Sequence, residues 1–270
     1  MRARSGEDAR SAGRSETMKN VEARATGARW LPAAVFAGAG LLHFAVWAAI
    51  PFRPFTIYKL AASLRAAGRL EPFRVPDFSP FYFHLHLLLA RTGLSYAPIL
   101  HAVEILATAL TAALFARLCL EFFPARVSAA GSLLFVLSPA PLLLSQLLLP
   151  EVWRLLFDVS ALLAFVLFRR TCRLRHVIAA ALLLGLSAST RPTALVLAVA
   201  LAAALLVTDG LEALRPAAVL VAGPLLFLSL IALRNAALTG SVDPTVMDPG
   251  AVFYLGTTRP AAERSPIPRS

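Results

Sequence analysis

Seven apolar stretches, separated by short polar segments, follow one another between residues 30 and 235 of the chain. Apolar runs of about 20 residues can cross the hydrocarbon core of a bilayer as helices. The pattern therefore predicts an all-α fold, a polytopic transmembrane helical bundle with about seven spans. The predicted spans are Trp30–Ile50, Ala97–Leu120, Val127–Leu148, Glu151–Phe168, Val177–Thr190, Thr193–Val207 and Leu214–Leu233.

Three of these spans depart from a simple apolar helix. Pro139 and Pro141 interrupt the third span, because proline removes a backbone donor and kinks a helix. The fifth and sixth spans are short and face each other across Arg191-Pro192. We therefore expect one broken span and one hairpin with a fixed positive charge at its turn.

A long segment, residues 51–97, separates the first two spans and is predicted to be an outer loop. Phe55–Leu70 places its polar residues at helical spacing, which is typical of an amphipathic helix in the membrane interface. Phe81–Ala90 is apolar but too short to cross the bilayer. We interpret it as an interfacial or partly re-entrant helix that begins at Ser79-Pro80.

Composition excludes a soluble domain. Hydrophobic residues make up 58% of the chain and charged residues 15%, whereas soluble domains carry about 25% charged residues. Residues 1–29 are rich in Arg, Ser, Gly and Ala and are predicted to be a disordered, basic cytoplasmic tail. Residues 30–235 form the predicted bundle, and residues 236–270 are predicted to be an extracytoplasmic C-terminal segment.

The net charge of +11 does not indicate a nucleic-acid partner, because most arginines of the bundle lie in short loops beside apolar runs. Such residues favour the cytoplasmic side and anionic lipid. With a cytoplasmic N-terminus, that side carries just over half of the 26 Lys and Arg residues. They lie in the tail and at Arg117, Arg126, Arg169, Arg170, Arg173, Arg175 and Arg215.

This topology predicts a multi-pass integral protein of the bacterial cytoplasmic (inner) membrane. The long outer loop carries six cations, but long loops obey the positive-inside bias poorly. Cys119 and Cys172 fall on the predicted cytoplasmic side and form no disulfide framework or metal motif. The sequence therefore predicts no metal-binding motif and no cofactor, and it leaves the use of a divalent metal open.

Charged residues at the start of the fourth span are candidates for chemistry. Glu151 lies at the predicted outer surface, where a carboxylate can act as a base, bind a metal or orient a sugar hydroxyl. The alternative is that it only favours the helix N-terminus through the helix dipole. Arg154 and Asp158 are four positions apart and are expected to neutralise each other. Arg154, nearer the surface, could also bind an anion.

Arg191 is the strongest candidate for phosphate binding. A guanidinium binds phosphate bidentately and stays charged when partly desolvated. Ser189, Thr190 and Thr193 are expected to add hydroxyl donors. The alternative is an arginine that anchors a helix end by reaching toward the headgroups, and residue patterns alone leave both interpretations open.

His101 and Glu104 are three positions apart on the second span. Such a pair can form a proton relay or half of a metal site. No second pair of this kind is present, and zinc sites use three or four protein ligands. We therefore favour a buried polar pair that stabilises the bundle.

The segment after the last span carries a family resemblance. The chain contains Arg234-Asn235, Gly240 and the run Asp248-Pro-Gly-Ala-Val-Phe-Tyr-Leu-Gly-Thr-Thr-Arg-Pro260. These residues resemble the Arg-Asn-Tyr…Thr-Gly…Asn-Gly-Gly-x-Asn-Phe-Tyr-x-Gly-Asn-Asn-Pro segment of glycosyltransferase family 39. Related enzymes include the dolichyl-phosphate-mannose-protein mannosyltransferase-like and aminoarabinose transferase-like proteins. The family's asparagines are replaced here by Val252, Thr257 and Thr258.

Three further segments resemble the same family, so that the likeness covers about residues 30–260 by pattern. Leu137-Ser-Pro139 followed by Glu151 is similar to its third span and the acidic start of its fourth. Gly185–Thr193 is similar to its Gly-Leu…Thr-Lys/Arg-Pro-Thr hairpin. Tyr58…Gly68 resembles its first-loop helix. The family's acidic residue before this tyrosine is missing, since the chain reads Arg53-Pro-Phe-Thr-Ile-Tyr58 there.

The resemblance implies a GT-C fold and an inverting glycosyltransferase. Such an enzyme transfers a sugar from a polyprenyl-phosphate donor to a lipid, glycan or protein hydroxyl on the outer face. It implies Glu151 as a catalytic residue. Asp77 and Glu71, later in the first outer loop, are candidates to replace the missing acid, and Asp77 is the preferred base. Arg191 and Arg154 would bind the donor phosphate. The implied substrate-loop residues are Phe253, Tyr254 and Arg259.

A second hypothesis is a catalytically inactive or truncated GT-C-like protein that binds polyprenyl-linked sugars or serves as a partner subunit. The missing first-loop acid favours it, whereas Glu151 and Arg191 in register favour the enzyme. Either protein would contact membrane lipid. A transporter is not supported, because the sequence has no inverted repeat with paired broken helices.

Overall fold

The computed structural model describes residues 29–50, 79–91, 96–239 and Val242. These residues form helices, and no β-strand occurs among them. The α-helices are α1 (Leu31–Ala49), α2 (Pro80–Arg91), α3 (Tyr96–Phe122), α4 (Ala125–Leu137), α5 (Pro139–Leu147), α6 (Glu151–Thr171), α7 (Leu174–Thr190), α8 (Ala194–Asp209) and α9 (Leu214–Thr239). A short 3₁₀ helix, Gly210–Ala213, joins α8 to α9.

The contacts between helices define two ends of the bundle. At one end, the Arg191 end, the start of α6 meets the end of α7 through Glu151 and Arg191. At the other, the Arg170 end, the end of α6 meets the end of α3 through Arg170 and Glu121. Helices α3 and α6 therefore run in the same direction between these ends, and α7 runs in the opposite direction.

The N-terminal half is built on the antiparallel pair α1 and α3. The start of α1 packs against the end of α3 through Leu31 and Ala116, and the two helix centres meet at Ala39 and Ala109. Alanine at these contacts lets the helices approach closely. The end of α1 consequently lies beside the start of α3 at the Arg191 end.

The C-terminal half packs α6, α7, α8 and α9 around one apolar core. Leu184 of α7, Leu205 of α8 and Leu220 of α9 are buried together in it. The chain reverses between α8 and α9 at Gly210, whose φ of +67° is a left-handed backbone conformation. Glycine adopts this conformation without the steric cost of a Cβ.

Glycines bring α7 and α9 into close contact. A Cβ on Gly223 of α9 would overlap the backbone of Ala181, and one on Gly185 of α7 would overlap the ring of Phe227. Small residues at helix contacts are the usual means by which membrane helices pack, because apolar burial gives no preference for protein over lipid. This interface therefore depends on side-chain volume.

Three helical stretches are long and apolar enough to cross a membrane, among the residues described. They are Leu31–Ala49, Pro98–Phe122 and Ala194–Ala237, the last of which comprises α8 and most of α9. A fourth is added when α4 and α5 are counted as one broken span. The apolar helices are compatible with an integral membrane protein.

Several sequence predictions can be compared with these elements. The all-α prediction is confirmed for the described residues, and the broken third span appears as a 44° bend between α4 and α5. Helix α2 begins at Pro80, as predicted, and the Ser79 Oγ accepts a hydrogen bond from the Tyr82 amide at 3.5 Å. Helix α9 continues to Thr239, past the boundary predicted at residue 235. The count of seven spans stays a prediction, because α6 is interrupted by charges and α7 has 17 residues.

Candidate functional site

The candidate site lies at the Arg191 end, where α6 begins and α7 ends. Glu151 is in the first turn of α6, and Arg191 is the residue that ends α7, in an extended conformation. The Arg191 Nε donates to Glu151 Oε1 at 3.1 Å, and its Nη2 donates to the same oxygen. The side chains are 45% and 27% exposed, respectively. The pair therefore closes the end of the α6–α7 hairpin while Arg191 still faces outward.

A second polar contact joins the same two helices about two turns deeper. The Ser187 Oγ of α7 donates to Asp158 Oδ1 at 2.6 Å. Arg154 lies between Glu151 and Asp158 on α6, and its Nε is 3.4 Å from Asp158 Oδ2. The expected Arg154–Asp158 pair is thus confirmed, and Asp158 also binds the neighbouring helix. Arg154 stays within one turn of Glu151 and partly exposed.

The hydroxyls near Arg191 correct a sequence expectation. The Ser189 Oγ donates to the Leu186 carbonyl and the Thr190 Oγ1 donates to the Ser187 carbonyl, each at 2.6 Å. Both hydroxyl protons are therefore used inside α7, because a serine or threonine late in a helix readily bonds a carbonyl of the preceding turn. The expectation that Ser189 and Thr190 add donors for a ligand was wrong. Of the three predicted hydroxyls, that of the exposed Thr193 stays a candidate donor.

Helix α2 is docked against the site by Glu104. The Trp153 Nε1 of α6 donates to Glu104 Oε1 at 2.9 Å, and the Tyr82 side chain of α2 also interacts with this carboxyl group. The Glu104 side chain is fully buried. One carboxyl group therefore connects α2, α3 and α6. His101 and Glu104 are both buried, as predicted, but Glu104 is bound by these partners and His101 packs against the Trp47 ring.

Aromatic contacts complete the docking of α2. The Phe81 ring lies 5.5 Å from the Trp153 ring and meets the Phe157 ring edge-on at 5.1 Å. The Ser79 Oγ donates to the carbonyl oxygen of Ser189 at 3.2 Å. The segment predicted to lie at the interface is therefore packed on the bundle, directly beside the end of α7.

A buried polar group between α1 and α5 was not anticipated from the sequence. The His43 Nδ1 and the Ser145 Oγ are hydrogen-bonded at 2.8 Å, and the Gln146 Nε2 donates to the His43 carbonyl at 3.2 Å. All three residues are buried. The sequence feature that could have indicated this buried group is the adjacent polar pair Ser145-Gln146 in an otherwise apolar segment. Its partner could not be identified, because His43 lies about 100 positions earlier in the chain.

Of the predicted site residues, the structure pairs Glu151 with Arg191 and places Arg154 one turn further along α6. The remaining predicted site residues, Asp77, Phe253, Tyr254 and Arg259, lie outside the described residues. Within the part of the chain that is described, no three His, Cys, Asp or Glu side chains are close enough to hold a metal ion. The described site thus consists of two ion pairs that share one helix.

Comparison of the chain with protein-family models, curated proteins and solved structures gives no match. The resemblance to glycosyltransferase family 39 therefore stays a prediction from sequence motifs.

We expect Trp153→Phe to destabilise the protein, because it removes a hydrogen-bond donor to the buried Glu104 carboxyl while keeping the aromatic ring. Loss of a partner by a buried polar group costs about 1–3 kcal/mol. Thermal unfolding of the purified protein in detergent would measure the loss. Trp47→Phe is the matched control, since the contact described for Trp47 is with the His101 ring. Equal stability of Trp153→Phe and wild type would show that the hydrogen bond does not dock α6 on α3.

Proposed function

We propose that the protein is an integral membrane glycosyltransferase that uses a polyprenyl-phosphate-linked sugar as donor. The observation that carries the proposal is the Arg191–Glu151 pair at the end of an apolar helical bundle. A lipid phosphate would lie at this depth while its isoprenoid chain remained among apolar helices. The acceptor would be a hydroxyl group of a lipid, glycan or protein.

The Arg191–Glu151 pair is weak enough for a phosphate to displace the carboxylate. Exposed ion pairs contribute about 0–1 kcal/mol, and both side chains of this pair are partly exposed. Glu151 accepts from the guanidinium through Oε1 alone, whereas a phosphate offers it two acceptor oxygens and more negative charge. Donor binding at Arg191 would therefore release the carboxylate of Glu151, and Arg154 would add positive charge one turn deeper.

This exchange supports a simple mechanism. A carboxylate removes the proton from the acceptor hydroxyl, and the acceptor oxygen then forms a bond to the anomeric carbon of the sugar. The bond between that carbon and the phosphate oxygen breaks, and Arg191 stabilises the departing polyprenyl phosphate. Asp77 and Glu151 are the two candidate bases. The substrate loop would contain Phe253, Tyr254 and Arg259.

The proposed topology has seven spans in a GT-C-like arrangement, with α4 and α5 forming one of them. It places the N-terminus in the cytoplasm of a bacterium and the Arg191 end outside. The described Arg170 end supports this orientation, because the exposed arginines Arg126, Arg173, Arg175 and Arg215 lie there and arginines favour the cytoplasmic side.

A non-catalytic protein that binds polyprenyl-linked sugars is the second candidate. The observation that favours it is the engagement of each acidic side chain at the α6–α7 interface. Glu151 is bound by Arg191, and Asp158 is bound by Arg154 and Ser187. In this case the phosphate site persists, and no carboxylate acts as a base.

We expect Arg191→Ala to weaken binding of a polyprenyl-phosphate sugar by about 1.5–3 kcal/mol, the range for a hydrogen bond to a charged group. Arg191→Lys should recover only part of this, because an ammonium lacks the planar fork. Glu151→Gln should bind the donor at least as tightly as wild type, since it removes the competing carboxylate. Donor affinity can be measured with protein in lipid nanodiscs, and equal affinity of wild type and Arg191→Ala would reject the assignment.

Sugar transfer in the same nanodiscs tests catalysis. A positioned base contributes about 10²–10⁴-fold, so Asp77→Asn should reduce turnover by that factor. Glu151→Gln should also lower turnover even though donor affinity is kept. Full activity of Asp77→Asn together with loss in Glu151→Gln would make Glu151 the base. Donor binding without any transfer by the wild-type protein would support the non-catalytic candidate.

Topology is tested by labelling single cysteines in intact cells after Cys119→Ser and Cys172→Ser. A membrane-impermeant reagent should label Ala261→Cys and leave Ala9→Cys unlabelled, because the proposed orientation puts position 261 outside. The opposite pattern of labelling would contradict it. The same reagent applied to lysed cells should label both positions, which controls for accessibility.

A further inference from the structure

The Arg170 end contains a preorganised pair of guanidinium groups. Glu121, near the end of α3, is the residue that joins them. Its Oε1 lies 2.6 Å from the Nη2 of Arg117, one turn earlier on the same helix. Its Oε2 is paired with the Nη1 of Arg170, at the end of α6. The Arg170 Nη2 also donates to the Glu121 backbone carbonyl at 2.5 Å.

Burial and exposure divide this cluster into an inner acid and two outer cations. The side chain of Glu121 is 2% exposed, whereas those of Arg117 and Arg170 are 42% and 37% exposed. The buried carboxylate restricts both arginines, and each guanidinium retains donors that do not contact Glu121. The cluster carries a net charge of +1 and presents it toward the end of the bundle.

The next helix adds to the positive potential at this place. Helix α4 begins at Ala125, four residues after Glu121, and no side chain caps its N-terminus. Free amides and the helix dipole at such a terminus favour anions. Arg126 in its first turn is exposed. The C-terminal ends of α3 and α6 carry negative dipole charge, which offsets part of this positive potential. Arg170 donates to one of the backbone carbonyl groups there, that of Glu121.

Apolar neighbours place the cluster at a membrane boundary. Phe122 and Phe123 are exposed directly after Glu121, as is Trp30 beside the start of α1. Exposed aromatic residues at the ends of apolar helices are typical of the membrane interface. A ligand bound at this position would meet guanidinium groups and apolar side chains together.

We propose that Arg117 and Arg170, held apart and oriented by Glu121, form a binding site for the phosphate of an anionic phospholipid. The phosphate accepts hydrogen bonds from the outer donors of both guanidinium groups. The acyl chains extend along the apolar faces of α3 and α4. This site is at the end of the bundle opposite to Arg191 and does not rest on the proposed glycosyl transfer.

The test measures lipid binding to the purified full-length wild-type chain and its variants by native mass spectrometry in detergent. Phosphatidylglycerol is the probe, and phosphatidylcholine is the neutral reference. We expect the wild type to bind phosphatidylglycerol about tenfold more tightly, since one charge-assisted hydrogen bond corresponds to roughly that factor. Absence of a preference in the wild type would overturn the proposal.

Replacing the whole cluster avoids leaving a buried acid without partners. The triple variant Arg117→Gln, Glu121→Gln and Arg170→Gln should lose most of the preference. The triple variant has one positive charge fewer than the wild type. Arg173→Gln removes one positive charge at the same end of the bundle, so it is the matched control and should keep the preference. An equal loss in both variants would show that general charge, rather than this site, attracts the lipid.

Glu121→Gln alone separates lipid binding from a purely structural role. Both guanidinium groups remain and the amide oxygen of the new side chain can still accept from them, while the competing negative charge is removed, so phosphatidylglycerol should bind at least as tightly as to wild type. It should also raise the unfolding temperature of this variant more than phosphatidylcholine does. Loss of lipid preference in Glu121→Gln would contradict the proposal. Displacement of the lipid by inorganic phosphate at constant ionic strength would contradict its lipid specificity.

Discussion

Polar groups within an apolar bundle must find partners inside the protein, and among the described helices α6 forms such contacts with both α3 and α7. Lipid offers no hydrogen bonds to compensate for a buried charge, so such groups face other helices. Glu151 and Asp158 bind α7, Trp153 binds α3, and Arg170 binds the end of α3. These contacts determine which helices lie beside α6 and at what height.

Close packing supplies the second constraint. Without water between them, apolar helices gain little from burial against each other compared with lipid. The overlap that a Cβ would cause at Gly223 shows how near α9 comes to α7, and the alanines between α1 and α3 serve the same purpose. Polar contacts thus specify the neighbours, and small residues allow the approach that dispersion forces require.

The two ends of the bundle use arginine differently. At the Arg191 end, the arginine and the acid are both partly exposed, so their pair can open at small cost. At the Arg170 end, the acid is buried and its two arginines are restrained, so the cluster stays intact and only its outer donors are free. An exchangeable pair suits the proposed donor substrate, which must leave after transfer, whereas a fixed cluster suits the proposed bound lipid.

The sequence by itself determined the helical class, the break at Pro139 and the start of α2 at Pro80, because these depend on local backbone chemistry and on apolar runs. It also identified Glu151, Arg154 and Arg191, since charges within apolar segments are conspicuous. Only the tertiary structure decided that Glu104 binds Trp153, that His43 meets Ser145, and that Arg117 and Arg170 share Glu121. Those partners are up to about 100 positions apart, and helical periodicity carries no information about which distant helix lies alongside.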